Sequence, residues 1–137
     1  MRLWQAEVLV AGEGKGPALV LAEPLSLWGG LDPETGEIID RRHPQVGEVV
    51  TGRVMVLPAG RGSSSASSIL LEAVRQGTAP AAIITREPDP ILALGAAVSR
   101  ELYAQAPPVL VLPPDAYAQL QSGQSVSVTQ DGMVSGA

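Results

Sequence analysis

Arg53-Val54-Met55-Val56-Leu57-Pro58-Ala59-Gly60-Arg61-Gly62-Ser63-Ser64-Ser65-Ala66-Ser67-Ser68 passes from a strand pattern into a helix pattern. Residues 53–57 form a strand-like run, apolar from Val54 to Leu57. From Ala66 onward, Ile69, Leu70, Ala73 and Val74 repeat with the spacing of one helix face, and Gly77 is a natural C-terminal stop. The stretch therefore predicts strand, tight glycine turn and helix over residues 53–76. Gly60 and Gly62 permit a sharp turn and a close approach to the backbone. The first N–H groups of a helix lack internal partners and carry partial positive charge. Arg61 and a group of hydroxyls stand at the same place. Such a corner suits a carboxylate, a phosphate or a developing oxyanion. The plainer reading is a solvated Gly-Ser loop whose serine caps the helix, although five serines in positions 63–68 are more than one cap needs.

Outward from this corner, the second half of the chain alternates strands and helices. Ala81–Thr85 and Val109–Leu112 read as buried strands. Between them, Asp89-Pro90 is an N-cap followed by proline at the first helical position, and Ile91, Leu94, Val98 and Leu102 mark a helix face. Pro113-Pro114-Asp115 opens a short helix over 116–121, ended by Gly123. Residues 125–129 alternate as a strand, and Asp131-Gly132 turns back to Met133-Val134. The first half is β-rich. Residues 3–10 read as one strand, Ala11–Gly16 as a hairpin turn, and 17–21 as its partner. Ala11–Gly16 lacks the Lys-Ser/Thr ending of a phosphate-binding P-loop. Asp32-Pro33-Glu34-Thr35-Gly36 is a turn by residue type, and Ile38-Ile39 begins a short strand. The long loop that holds Trp28-Gly29-Gly30 either packs its tryptophan on the core or presents it as a surface.

These elements predict an α/β domain over residues 1–137, a mixed sheet with flanking helices, parallel at its centre, plus a smaller β part from the first half. The sequence is 45% hydrophobic and 17% charged, which favours a folded core over disorder. With no Phe, two Trp and two Tyr, that core is built of aliphatic residues. A net charge of −5 argues against nucleic acid and anionic membrane as main partners. There is no cysteine, hence no disulfide framework, thiolate metal site or cysteine nucleophile. No signal-peptide pattern and no membrane-length apolar run is seen, so a cytoplasmic protein is expected. His43, in Arg41-Arg42-His43-Pro44, is the only histidine. It reads as a surface turn residue, a general base or a phosphate carrier, and makes a poor metal site alone.

Two motifs together resemble a known family. Pro24-Leu25-Ser26-Leu27-Trp28-Gly29-Gly30-Leu31-Asp32-Pro33-Glu34-Thr35-Gly36, with Asp40 and His43-Pro44, and then Gly60-Arg61-Gly62-Ser63-Ser64-Ser65-Ala66-Ser67, look like the small subunit of aconitase X enzymes. The resemblance covers nearly the whole chain. It implies a swivelling β/β/α domain and a hydro-lyase that dehydrates cis-3-hydroxy-L-proline or mevalonate 5-phosphate. It also implies a larger, cysteine-bearing partner subunit that carries an iron or iron–sulfur centre, with no metal held by this chain. By motif match the proton-abstracting serine falls on Ser63, with Ser64 and Ser65 as near alternatives. Gly60, Arg61, Gly62, Ser64 and Ser65 then surround the substrate. Trp28, Gly29 and Gly30 line either the site or the subunit interface. In aconitase an arginine follows the serine pair; Ser65 stands there in this chain, leaving Arg61 or a large-subunit residue to hold the substrate carboxylate. Two other readings stay open: a phosphohistidine carrier domain using His43, and a non-catalytic binding module whose serine turn only caps a helix.

Overall fold

The structure, a computed structural model, describes residues 2–61 and 64–137. Its strands are β1 (Arg2–Gln5), β2 (Glu7–Val10), β3 (Gly14–Val20), β4 (Val54–Leu57), β5 (Ala82–Thr85), β6 (Val109–Val111), β7 (Ser125–Val128) and β8 (Met133–Gly136). Its helical segments are α1 (Leu27–Gly30), α2 (Ser65–Gln76), α3 (Pro90–Tyr103) and α4 (Pro114–Tyr117). The strands form one mixed sheet in the order β1-β8-β7-β3-β4-β5-β6-β2. Strands β3 to β6 are mutually parallel, as the βαβ crossovers require, and the remaining pairs are antiparallel.

The central strands are buried on both faces, which is why they read as unbroken apolar runs. Met55, Leu57 and Ile83 face one core with Leu70 of α2 and Leu92 and Ala96 of α3. Val54, Val56, Ala82 and Ile84 face the other, where Val126, Val128 and Val134 of the antiparallel arm close over them. The layers are thus antiparallel strands, parallel sheet and helices, the expected β/β/α arrangement. The smaller β part, made of β1, β8, β7 and the first residues of β3, draws β7 and β8 from the end of the chain rather than from its first half.

The glycine-rich stretch before Pro17 is not a hairpin turn. Gly14 and Gly16 already lie in β3, which pairs with β7 through residues 14–17 and with β4 through residues 18–20. A Cβ on Gly14 would stand 2.2 Å from the Ala81 carbonyl oxygen, and one on Gly16 2.3 Å from that of Gly52. These glycines serve close backbone packing, a need that local pattern does not reveal. Residues 3–10 are likewise not one strand. Ala6 divides them, so that β1 pairs with β8 and β2 with β6 at the opposite end of the sheet. Ile38 and its neighbours make only isolated bridges, Leu31 to Ile38 and Glu37 to Val49.

Helix α2 has the expected extent, with Gly77 at φ 79° as its C-cap. The Asp89-Pro90 start of α3 is also as expected, Asp89 accepting from the Ile91 and Leu92 backbone N–H groups. The buried face of α3 differs from expectation: it is Leu92, Gly95, Ala96 and Ser99, while Leu94 and Leu102 are 54% and 62% exposed. The small residues let α3 approach α2, a Cβ on Gly95 lying 3.0 Å from the Ser67 carbonyl oxygen. Helix α4 is a single turn that starts two residues before the predicted one.

Tyr117 ends that turn under the Arg86 guanidinium, 5.9 Å from the ring centre. Its hydroxyl is buried without a hydrogen-bond partner among the described residues, and burial pushes its pKa up to about 12 against the opposing charge of Arg86. The folded state holds this proton more tightly than the unfolded chain, whose tyrosine ionises near 10. The linked stability is present below about pH 10 and is lost as pH rises toward about 12. Tyr117→Phe removes a buried unsatisfied hydroxyl. It is expected to raise stability at neutral pH by about 1 kcal/mol and to flatten the alkaline loss, as read by thermal denaturation across pH.

Candidate functional site

The predicted glycine turn begins where β4 ends. The Pro58 carbonyl accepts from the Arg86 and Glu87 backbone N–H groups, tying the turn to the loop after β5. Gly60 makes a parallel bridge to Leu25, and the Arg61 N–H donates to the Leu25 carbonyl at 3.2 Å. The Gly60 N–H donates to Oδ2 of Asp89 at 2.7 Å. The other oxygen, Oδ1, accepts from Ile91 and Leu92 at 3.0 Å each. One carboxylate, only 8% exposed, therefore holds both the turn and the start of α3. A Cβ on Gly60 would come within 2.4 Å of Oδ2, so the position requires glycine for space.

Next to the turn is a cavity of about 280 Å³, lined by Leu25, Leu27, Gly60, Arg61 and Asp89 among others. Arg61 is exposed at its mouth. Gly62 and Ser63 lie outside the described residues. Ser64 is exposed and occupies the N-cap position of α2 in a helical conformation, with no side-chain cap bond. The plain capping role is thus not filled by this serine. Ser65 is the first residue of α2 and is half-buried. Ser67 donates from Oγ to the Ile91 carbonyl at 2.8 Å, fastening α2 to α3 just behind the turn. No acidic residue lies in the first turn of α2, so its positive end is not neutralised by its own side chains.

A family model for the aconitase X swivel domain matches residues 3–136. The chain belongs to the aconitase X swivel-domain family. It superposes on the crystal structure of Thermococcus kodakaraensis aconitase X in its holo-form with a TM-score of 0.89 and 30% identity, covering 100% of this chain and 99% of that one. It is 51% identical over 104 residues to the cis-3-hydroxy-L-proline dehydratase of Pseudomonas aeruginosa, which is 76% of this chain and 18% of that protein. It is 46% identical over 89 residues to the phosphomevalonate dehydratase small subunit of Methanothermobacter thermautotrophicus, 65% of this chain and 68% of that protein. This swivel domain thus spans about a fifth of the length of the first of these relatives.

The swivel domain brings the second motif to the glycine turn through Leu25. In α1 the backbone is not regularly helical: Trp28 has ψ 115° and Gly29 φ 76°. Leu27 and Gly30 turn inward, while Trp28 is 62% exposed. Of its two expected fates, packing down or presenting a surface, Trp28 takes the second. Gly30 is buried, and a Cβ there would lie 3.0 Å from the Leu25 side chain.

His43 is not a surface histidine. It is 5% exposed, with Nε2 donating to the Glu23 carbonyl at 3.1 Å and Nδ1 accepting from the Gln45 N–H at 3.0 Å. Both ring nitrogens are used within the chain, which places the hydrogen on Nε2 and leaves neither nitrogen open for phosphate. The histidine is a staple that joins residues 40–45 to Glu23. Among the described residues no cluster of three His, Asp or Glu side chains could hold a metal ion, and no helix is long and apolar enough to cross a membrane.

Asp89 is the residue that local reading undervalued. Its Asp-Pro signal announced a helix cap, and it is one. Its second oxygen, aimed at Gly60 across 29 positions of sequence, had no local signal.

Proposed function

We propose that this chain is the small subunit of a heteromeric, cytoplasmic hydro-lyase of the aconitase X type, one swivelling domain that supplies the serine base. The observation that carries this reading is the anchored glycine turn at the positive end of α2, in a chain matched to the aconitase X swivel domain over residues 3–136. The substrate is a small hydroxy acid, cis-3-hydroxy-L-proline or mevalonate 5-phosphate, as the names of the relatives suggest. Dehydration takes a proton from one carbon and hydroxide from its neighbour, and the two leave as water. Ser63 takes the carbon-bound proton, with Ser64 and Ser65 as the neighbouring alternatives. Arg61 and the start of α2 favour the negative charge that a serine base carries. Gly60, Gly62 and Arg61 shape the substrate's side of the turn.

This chain is not suited to hold an iron or iron–sulfur centre. It has no cysteine, and its described residues present no ligand cluster. The centre belongs in this reading to a larger, cysteine-bearing partner, which supplies Lewis-acid chemistry to the leaving hydroxyl. The purified chain alone is expected to show no dehydratase activity toward either substrate. Co-expressed with the larger subunit it is expected to dehydrate one of them, followed by the appearance of the unsaturated product. Activity of the isolated chain would contradict the division of labour, and an inactive complex would contradict the reaction class.

A further inference from the structure

Beside the glycine turn lies a second, open pocket of about 790 Å³, bounded by Glu23, Asp40, Arg41, Arg42, His43 and Arg61. In a chain of net charge −5, three guanidinium groups and two carboxylates meet here. None of the three arginine side chains makes a hydrogen bond or ion pair among the described residues, whereas Arg53 pairs with Glu48 and Arg75 with Glu72. The loop that carries Arg41 and Arg42 is held rigidly from beneath. Oδ1 of Asp40 accepts from the Arg42 backbone N–H at 2.9 Å, the His43 N–H donates to the Asp40 carbonyl at 3.0 Å, and the buried His43 ring fastens the loop to Glu23. One Asp40 oxygen is thereby engaged in the turn rather than with a guanidinium. Arg61 projects from the glycine turn and lines both cavities. Planar, multiply donating cations without a partner among the described residues, two on a fixed loop and one on the anchored turn, are suited to a carboxylate or phosphate, and binding to a preformed site avoids an ordering cost.

We propose that Arg41, Arg42 and Arg61 form an oxyanion-binding site that takes a carboxylate or phosphate of the substrate next to the glycine turn. This rests on the reading of that turn as a substrate site and adds the group that is recognised. Both suggested substrates carry a carboxylate, and one of them also carries a phosphate. The test titrates the full chain, isotopically labelled, with inorganic phosphate and separately with acetate while amide NMR shifts are followed. Saturable shifts at residues 40–43 and Arg61 are expected, and the Arg41→Ala/Arg42→Ala double variant should bind the anion roughly tenfold or more weakly. Both side chains are exposed, so the rest of its spectrum should be unchanged. Saturation by acetate as readily as by phosphate assigns the site to a carboxylate; preference for phosphate assigns it to a phosphorylated hydroxy acid. Shifts that do not saturate, or that persist unchanged in the double variant, overturn the proposal. So does a double variant that keeps anion binding but loses the larger subunit, since the arginines would then be interface residues. Anion binding is read without turnover, so its failure is distinct from failure of the dehydratase reading.

Discussion

In the proposed complex with a larger subunit, replacing Ser63 with alanine is expected to leave the complex intact and to lower turnover by roughly 10²–10⁴-fold, the usual worth of a positioned base. Gly60 is held by Asp89 at 2.7 Å and Arg61 by the Leu25 carbonyl at 3.2 Å, so the turn is anchored up to Arg61. In the proposed reading the base draws on the partial positive charge at the start of the twelve-residue helix α2 and on the charge of Arg61, both of which lower the cost of a negative oxygen. The neighbours give an internal control. Ser64 is exposed and makes no cap bond, so Ser64→Ala should change stability by less than about 0.5 kcal/mol. Steady-state rates of both variants decide the assignment. Near-normal turnover by Ser63→Ala moves the base to Ser64 or Ser65.

The largest expected loss of stability follows Asp89→Ala. This change removes the acceptor of three backbone N–H groups, at Gly60, Ile91 and Leu92. Loss of a helix cap costs about 1 kcal/mol, and a buried hydrogen bond to a charged group is worth about 1.5–3 kcal/mol. Because the three bonds share one carboxylate, their worths do not simply add. A loss of about 3 kcal/mol is expected, seen as a fall in Tm of roughly 10 °C. Asp89→Asn separates the two tasks. Its amide oxygen still caps α3, while its NH₂ group is set against the Gly60 N–H, donor to donor. It should keep most of the stability and still lose turnover, measured at a temperature where the variant remains folded. Full activity in Asp89→Asn would show that the turn does not depend on this anchor.

Much of the architecture is readable where the cause is local. Strand β4, the body of α2, the Gly77 stop and the Asp89-Pro90 start of α3 each depend on neighbours within a few residues. Features decided across the fold are not readable. Gly14 and Gly16 look like turn residues and are strand residues under the Ala81 and Gly52 carbonyls. Leu94 and Leu102 fit a helix face, but the packing face is chosen by Gly95, Ala96 and Ser99, because small residues allow α3 to lie close to α2. The turn between β4 and α2 is readable for a related reason. A glycine turn between a strand and a helix announces itself locally, whereas the Asp89 anchor comes from 29 positions away and the Arg41–Arg42 loop from about twenty. Arg41 and Arg42 are unremarkable in sequence beside a histidine, and their setting emerges only once His43 is seen to be buried.

The pairing of β1 with β8 sets Arg2 opposite Gly136. Entry to and exit from the unit therefore lie side by side on two adjacent strands at one edge of the sheet, and β1 to β8 can be stitched into a longer polypeptide at a single seam. The glycine turn follows β4, four places away from β1 in the order of the sheet, and a covalent join at that seam need not disturb it. Such an arrangement makes the unit portable: the same site can be carried by a free-standing chain or by one segment of a much larger one. Its similarity both to a small subunit and to 18% of a longer dehydratase is what that portability would produce.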